Sequence, residues 1–365
     1  MHEDISATGT RRSIKRFAAT NPAFVCVISY TATCEIPGLT IAGANPELVK
    51  YTSPADAEFL YYGKCMCING VPATPDGKPT PALVSRTALA MGELPVLVVD
   101  AGVKVKPSIP AISFGLEPGG NIAKGDAMQV ADARRAFEYG KVIGRELARA
   151  SDLVTIGESI PGGTTTALAV LSALGVDAEF RVSSSMPENP HKLKNKVAEI
   201  ARERSGIRSG SKIPPYDAIA KLGDPMMPSV AGIASGALAG GSRVMLAGGT
   251  QMAAVLVLLK RLEVPLDRIC IGTTSYLIQD STSDLEGMVK EISDTVPVLS
   301  CDLHLDESSK PGLRAFAEGF VKEGVGAGGA SLAAMLKDSR ITGKKLMRAV
   351  ENQYKISIES QLARH

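Results

Sequence analysis

The chain has 365 residues, 45% hydrophobic and 21% charged, with 40 basic and 38 acidic side chains and a net charge of +2. This composition describes a folded enzyme-sized chain and excludes a disordered one, and the balanced charge gives no basic field for nucleic acid. Aromatic residues make up 4% and Trp is absent, which excludes a base-stacking platform or a sugar-binding groove.

The first twenty residues are basic, without the apolar run of a signal peptide, and read as a surface helix or arm. Residues 23–29 (AFVCVIS) are the first buried strand. Residues 31–53 are loop-rich, 54–62 form a short helix, and 70–81 hold four Pro and two Gly in a loop. A second strand, 94–100 (LPVLVVD), ends in Asp100, and an amphipathic helix spans 126–150. The expected order then runs strand 153–156, helix 164–174, strand 178–182, helix 190–204, helix 228–239, strand 243–247, helix 250–262, strand 268–272, helix 282–293 and strand 296–299. Strands alternating with helices of this length predict βαβ units: an α/β fold, a Rossmann-like parallel sheet between helical layers. No linker divides the chain, so one catalytic domain over 1–365 is expected. Segments 1–20 and 341–365 are candidates for a small helical lobe packed on it.

Six Cys are scattered at 26, 34, 65, 67, 270 and 301, which reads as reduced thiols and a cytoplasmic protein. Cys65 and Cys67 are too few for a zinc site. Asp302, His304 and Asp306 resemble a metal triplet, but alternating acids at a strand edge more often meet solvent. No metal or cofactor is expected. The apolar runs at 225–242 and 244–259 are too short or too broken to cross a membrane.

Two stretches carry chemistry. Residues 153–174 (LVTIGESIPGGTTTALAVLSAL) read as a strand, a Gly-rich loop and a helix, an arrangement that puts backbone N–H groups and a positive helix end where an anion can bind. Gly163 stands where a Walker loop has its lysine, so a monophosphate fits better than a nucleoside triphosphate. Glu158 lies at the strand tip. The second stretch, 322–330 (KEGVGAGGA), sets Glu323 before a segment whose backbone can press on a flat ligand, followed by a helix at 331–336. It also reads as a helix C-cap, with 314–322 helical and Gly324 as the cap.

Together these residues resemble the nicotinate-nucleotide–dimethylbenzimidazole phosphoribosyltransferase family, in its archaeal or cyanobacterial-type branch. The family loop G-E-x-x-x-G-N-T-T is similar to Gly157–Thr165, with Gly163 replacing Asn. Its N-K-[IV] motif is similar to Asn195-Lys196-Val197, and its G-E-G-[ST]-G-A motif to residues 322–327, with Lys322 and Val325 as departures. An upstream S-x-x-x-G-x-R pattern is matched by Ser308, Gly312 and Arg314. The resemblance covers about 100–336; the first hundred residues match poorly and are expected to shape the base pocket.

It implies phosphoribosyl transfer from nicotinate mononucleotide to a benzimidazole-type base, the lower-ligand activation step of cobalamin biosynthesis. It implies Glu323 as general base and Glu158 as the acid that stabilises charge on the sugar. Substrate binding would fall to Gly162, Gly163, Thr164, Thr165, Lys196, Ser308, Gly324 and Gly326, with no metal and a homodimeric assembly. The alternatives are transfer to another base, or a nucleotide-binding protein without turnover.

Overall fold

The structure, a computed structural model, describes residues 3–8, 12–43, 45–74, 78–207 and 212–359. Its strands are β1 (Ile5–Ala7), β2 (Pro22–Ile28), β3 (Val96–Asp100), β4 (Ile112–Ser113), β5 (Leu153–Ser159), β6 (Arg243–Ala247), β7 (Ile269–Thr274) and β8 (Val298–Cys301). Its helices are α1 (Arg12–Arg16), α2 (Thr52–Tyr62), α3 (Ala82–Met91), α4 (Val130–Ala148), α5 (Gly163–Ala173), α6 (His191–Ser205), α7 (Pro215–Leu222) and α8 (Met226–Ala239), then α9 (Thr250–Arg261), α10 (Ser275–Ile278), α11 (Leu285–Ile292), α12 (Pro311–Arg314), α13 (Ala327–Lys337) and α14 (Gly343–Tyr354). The strands form one sheet in the order β1-β8-β7-β6-β5-β2-β3-β4. Every pairing is parallel except β1 with β8.

β2 and β5 are buried along their whole lengths, as strands covered on both faces must be, and their apolar runs follow from that. Side chains alternate between the layers. Val25 and Val27 point into a core shared with α4, α5, α8 and α9, while Phe24, Cys26 and Ile28 enter one shared with α2, α3 and α13. From β2 the chain steps outward through β3 and β4; from β5 it steps the other way through β6, β7 and β8. The direction therefore reverses between β2 and β5, in register Ile28 to Ser159, and ligands of such sheets bind beyond the strand ends at that reversal.

Several expected elements differ. Residues 178–182 form turns, not a strand. β5 already pairs with β6, and Arg181 is committed instead to ion pairs with Asp284 and Glu291. Residues 82–91, given no element above, form α3. The chain start is not purely helical: Ile5–Ala7 adds the antiparallel edge strand, and α14 packs on α3. The two termini meet where Asp4 accepts hydrogen bonds from the Gly343 N–H and the His304 ring. His304 thus pairs with Asp4 and Glu307, and no cluster of three or more potential metal ligands occurs among the described residues. No helix is long and apolar enough to cross a membrane among those residues.

Candidate active site

A cavity of about 540 Å³ opens at the strand reversal, bounded by residues of both helical layers. From one layer come Gly162, Gly163 and Thr164 at the start of α5, the loop Ser183–Ser185, and Gly249 and Gln251 at the start of α9. From the other come Asp56 of α2, Thr80 and Pro81 before α3, and Glu323, Gly324 and Val325 before α13. Helix starts present backbone N–H groups that lack intrahelical partners. Those of α5 and α9 face one side of the cavity, a setting that suits an anion.

Glu158, near the end of β5, lines the same cavity as Glu323 and is 4% exposed. Burial, with the charges of Asp224, Glu323 and Asp56, pushes its carboxyl up to about 8. Its Oε1 accepts from Gln251 Nε2 at 3.2 Å. That amide occupies the room Gly163 leaves: a Cβ on Gly163 would lie 2.8 Å from it.

Glu323 caps the start of α13. Its carboxylate accepts from Thr274 N–H at 3.0 Å, Thr273 Oγ1 at 3.1 Å, Gly324 N–H at 3.1 Å and Gly328 N–H at 3.2 Å. Burial outweighs these donors and raises it to about 7, where a carboxylate can both take and release a proton at neutral pH. The loop around it is tied down on each side. Lys322 forms a buried ion pair with Asp280 at 2.9 Å, Thr274 Oγ1 donates to Lys322 O, Ser85 Oγ to Val325 O, and Val325 N–H to Glu158 O. The last of these bonds joins the two glutamate-bearing segments directly.

A phosphoribosyltransferase family model, DBI_PRT, matches residues 83–312. The chain belongs to the nicotinate-nucleotide–dimethylbenzimidazole phosphoribosyltransferase family. Archaeal relatives cover nearly its full length. A UPF0284 protein of Archaeoglobus fulgidus is 50% identical over 91% of this chain and 93% of its own, and one of Sulfolobus acidocaldarius is 46% identical over 92% and 94%. The solved nicotinate-nucleotide–dimethylbenzimidazole phosphoribosyltransferase of Thermus thermophilus shares the fold, with a TM-score of 0.62 at 18% identity over 91% of this chain and 84% of that one. CobT from the same organism gives 0.64 at 18% identity over 94% and 92%.

In this phosphoribosyltransferase the expected site residues separate into two groups. Glu158, Glu323, Gly162, Gly163, Thr164 and Gly324 are brought together on the cavity wall. Thr165, Lys196, Ser308 and Gly326 do not line it. Thr165 is buried behind the loop, and its N–H is spent on Gly162 O. Lys196 is exposed on α6, as is Lys192, because α6 turns Lys194 inward instead. Lys194 is fully buried and donates to Ser183 O at 2.6 Å and Asn189 Oδ1 at 3.1 Å. Burial and the neighbouring Lys322 pull its ammonium down to about 7. Ser308 is held by Glu351 of α14, 2.7 Å away. Gly326 lies against the sheet, where a Cβ would come 3.0 Å from Gly157 Cα.

The sequence pattern did not single out Asp56, Gln251 or Lys194. Asp56 and Gln251 sit inside helical runs whose spacing marks them as ordinary helix positions. For Lys194 a signal existed: it lies three residues before Val197 and four before Ala198, the residues α6 buries.

Proposed function

We propose that this enzyme transfers phosphoribose from nicotinate mononucleotide to a benzimidazole-type base, releasing nicotinate and an α-ribazole-type phosphate in cobalamin lower-ligand activation. The observation that carries the reading is the joint placement of Glu158 and Glu323 on one cavity that the starts of α5 and α9 also line. The 5′-phosphate would lie at Gly162, Gly163 and Thr164 and the Ser183–Ser185 loop, with Lys194 adding charge from behind that loop, the part the sequence motif gave to Lys196. The ribose would then sit over the two glutamates and the base toward α2 and α3.

In the reaction the base nitrogen attacks C1′ as the C1′–pyridinium bond breaks. Its electron pair neutralises the ring, so nicotinate departs without needing an acid. The proton on the second base nitrogen passes to Glu323. Before nucleotide binds, Glu158 is largely protonated at neutral pH; the positive charge of the pyridinium ring placed beside it would favour its ionised form, which then opposes positive charge developing on the sugar. Lys322, where the family motif has Gly, is used structurally through Asp280 rather than facing substrate. Assembly as a homodimer in the cytoplasm belongs to the same proposal. Light scattering of the purified protein checks the dimer.

Incubation with nicotinate mononucleotide and a panel of aromatic bases, with nicotinate release followed over time, tests the reaction. Base-dependent release is expected, and no release with any base would contradict it.

A further inference from the structure

We propose that Asp56, braced by Thr80 and Ser159, is the specificity-determining contact for the acceptor, and that it selects an aromatic base carrying an O–H or N–H donor on its ring periphery. This rests on the transferase reading above and names the substrate class of that site.

Asp56 lines the cavity from α2 and is 3% exposed. Its Oδ1 accepts from Thr80 Oγ1 at 2.6 Å and its Oδ2 from Ser159 Oγ at 2.7 Å. A carboxylate oxygen has two acceptor positions, so each retains one. No Lys or Arg forms an ion pair with Asp56 among the described residues. Leu39, Ile68, Val71 and Val325 add apolar wall to the same cavity. A flat ring is suited to that wall, but a ring presenting only carbon to Asp56 would strip water from a carboxylate and return no bond. Sites built to bond a hydroxyl reject the analogue that lacks it.

Charge decides which of the two aromatic rings lies here. The leaving nicotinate carries a carboxylate, which the acidic wall of Asp56 and Glu158 repels. The incoming base carries none. Glu323 is reserved for the proton on the attacking ring system, so the peripheral substituent is the part that falls to Asp56.

The test compares 5-hydroxybenzimidazole with 5-methylbenzimidazole, which are close in size. It measures kcat/KM for nicotinate release and, separately, each base's Kd by calorimetry. The wild type is expected to prefer the hydroxyl base at least about 10-fold in both measurements, the factor one satisfied bond supplies. Asp56→Ala should bring both ratios below about threefold. Asp56→Asn, which keeps the side-chain shape, should lower them at least about threefold if the alanine variant does not fold, since a neutral acceptor bonds more weakly than an ionised one. A wild-type ratio near one, or a ratio unchanged in whichever variant folds, overturns the proposal. Absence of nicotinate release with every base would overturn the transferase reading instead, and the Kd ratios would still decide the role of Asp56.

Discussion

Glu323 meets two demands that pull in opposite directions. Its N–H and O–H partners hold the carboxylate in place at the start of α13, while burial keeps its affinity for a proton near neutrality. Glu323→Gln keeps the cap's shape but cannot accept the proton; kcat should fall at least about 100-fold with nucleotide Kd nearly unchanged. Unchanged turnover would remove Glu323 from the mechanism. Because Glu323 is raised to about 7 and must be ionised in the proposed mechanism, kcat at saturating nucleotide should climb with pH between about 6 and 8. Lys194 and Lys196 of α6 give a third check. Lys194→Met should raise the nucleotide KM about 10-fold or more, as loss of a charged contact does, whereas Lys196→Met should leave it within about twofold. The opposite pattern would return the phosphate contact to Lys196.

At the scale of elements, the Gly-rich segment before and within α13 has a different use from the one its composition suggests. Gly328 and Gly329 lie inside the helix, and Cβ atoms there would come 2.1 Å from the carbonyl carbon of Thr273 and 2.2 Å from Ala247 Cβ. Glycine here lets the helix start lie directly on β6 and β7, and that contact delivers Glu323 to the cavity. Gly328→Val should therefore cost about 1–3 kcal/mol in stability by overpacking and reduce kcat more than it changes KM. Gly125→Ala, at a site open to solvent, should do neither, and equal melting temperatures for both variants would contradict the packing argument. The sequence made β5, its loop and α5 legible because apolar run, glycine pair and Ala/Leu helix follow one another without interruption. It placed the helix at 331–336 inside α13 but misread residues 314–330, because a Gly run ends a helix as readily as it lets one approach a sheet, and only the sheet distinguishes the two. The 178–182 segment was misread for a related reason. Its residue types suit a strand, but pairing partners are set by topology.

At the scale of the whole molecule, the parallel sheet followed from the alternation of strands and helices, while the antiparallel β1 edge did not, since three residues carry no readable period. The reversal between β2 and β5 gathers the buried Asp56, Glu158 and Asp224 with the half-buried Glu323, all raised above ordinary carboxylate values. A carboxyl raised in the folded state holds its proton longer there than in the unfolded chain. Stability therefore falls as pH rises from about 4.5, the unfolded range, toward about 8. Glu158→Gln removes the most strongly raised member of this group. It should raise the melting temperature at pH 8.5 by roughly 2 °C or more and have little effect at pH 5, while lowering kcat. A variant less stable than wild type at pH 8.5 would argue against the repulsion. The same concentration of acids would suit the pyridinium ring and the neutral base of the proposed reaction.

The most direct measurement is nicotinate release from nicotinate mononucleotide, followed in the wild type and in Glu323→Gln with and without a benzimidazole-type base. The account predicts release by the wild type only when the base is present, and little from Glu323→Gln although it still binds the nucleotide. Release that ignores the base, or that survives the loss of Glu323, would contradict it.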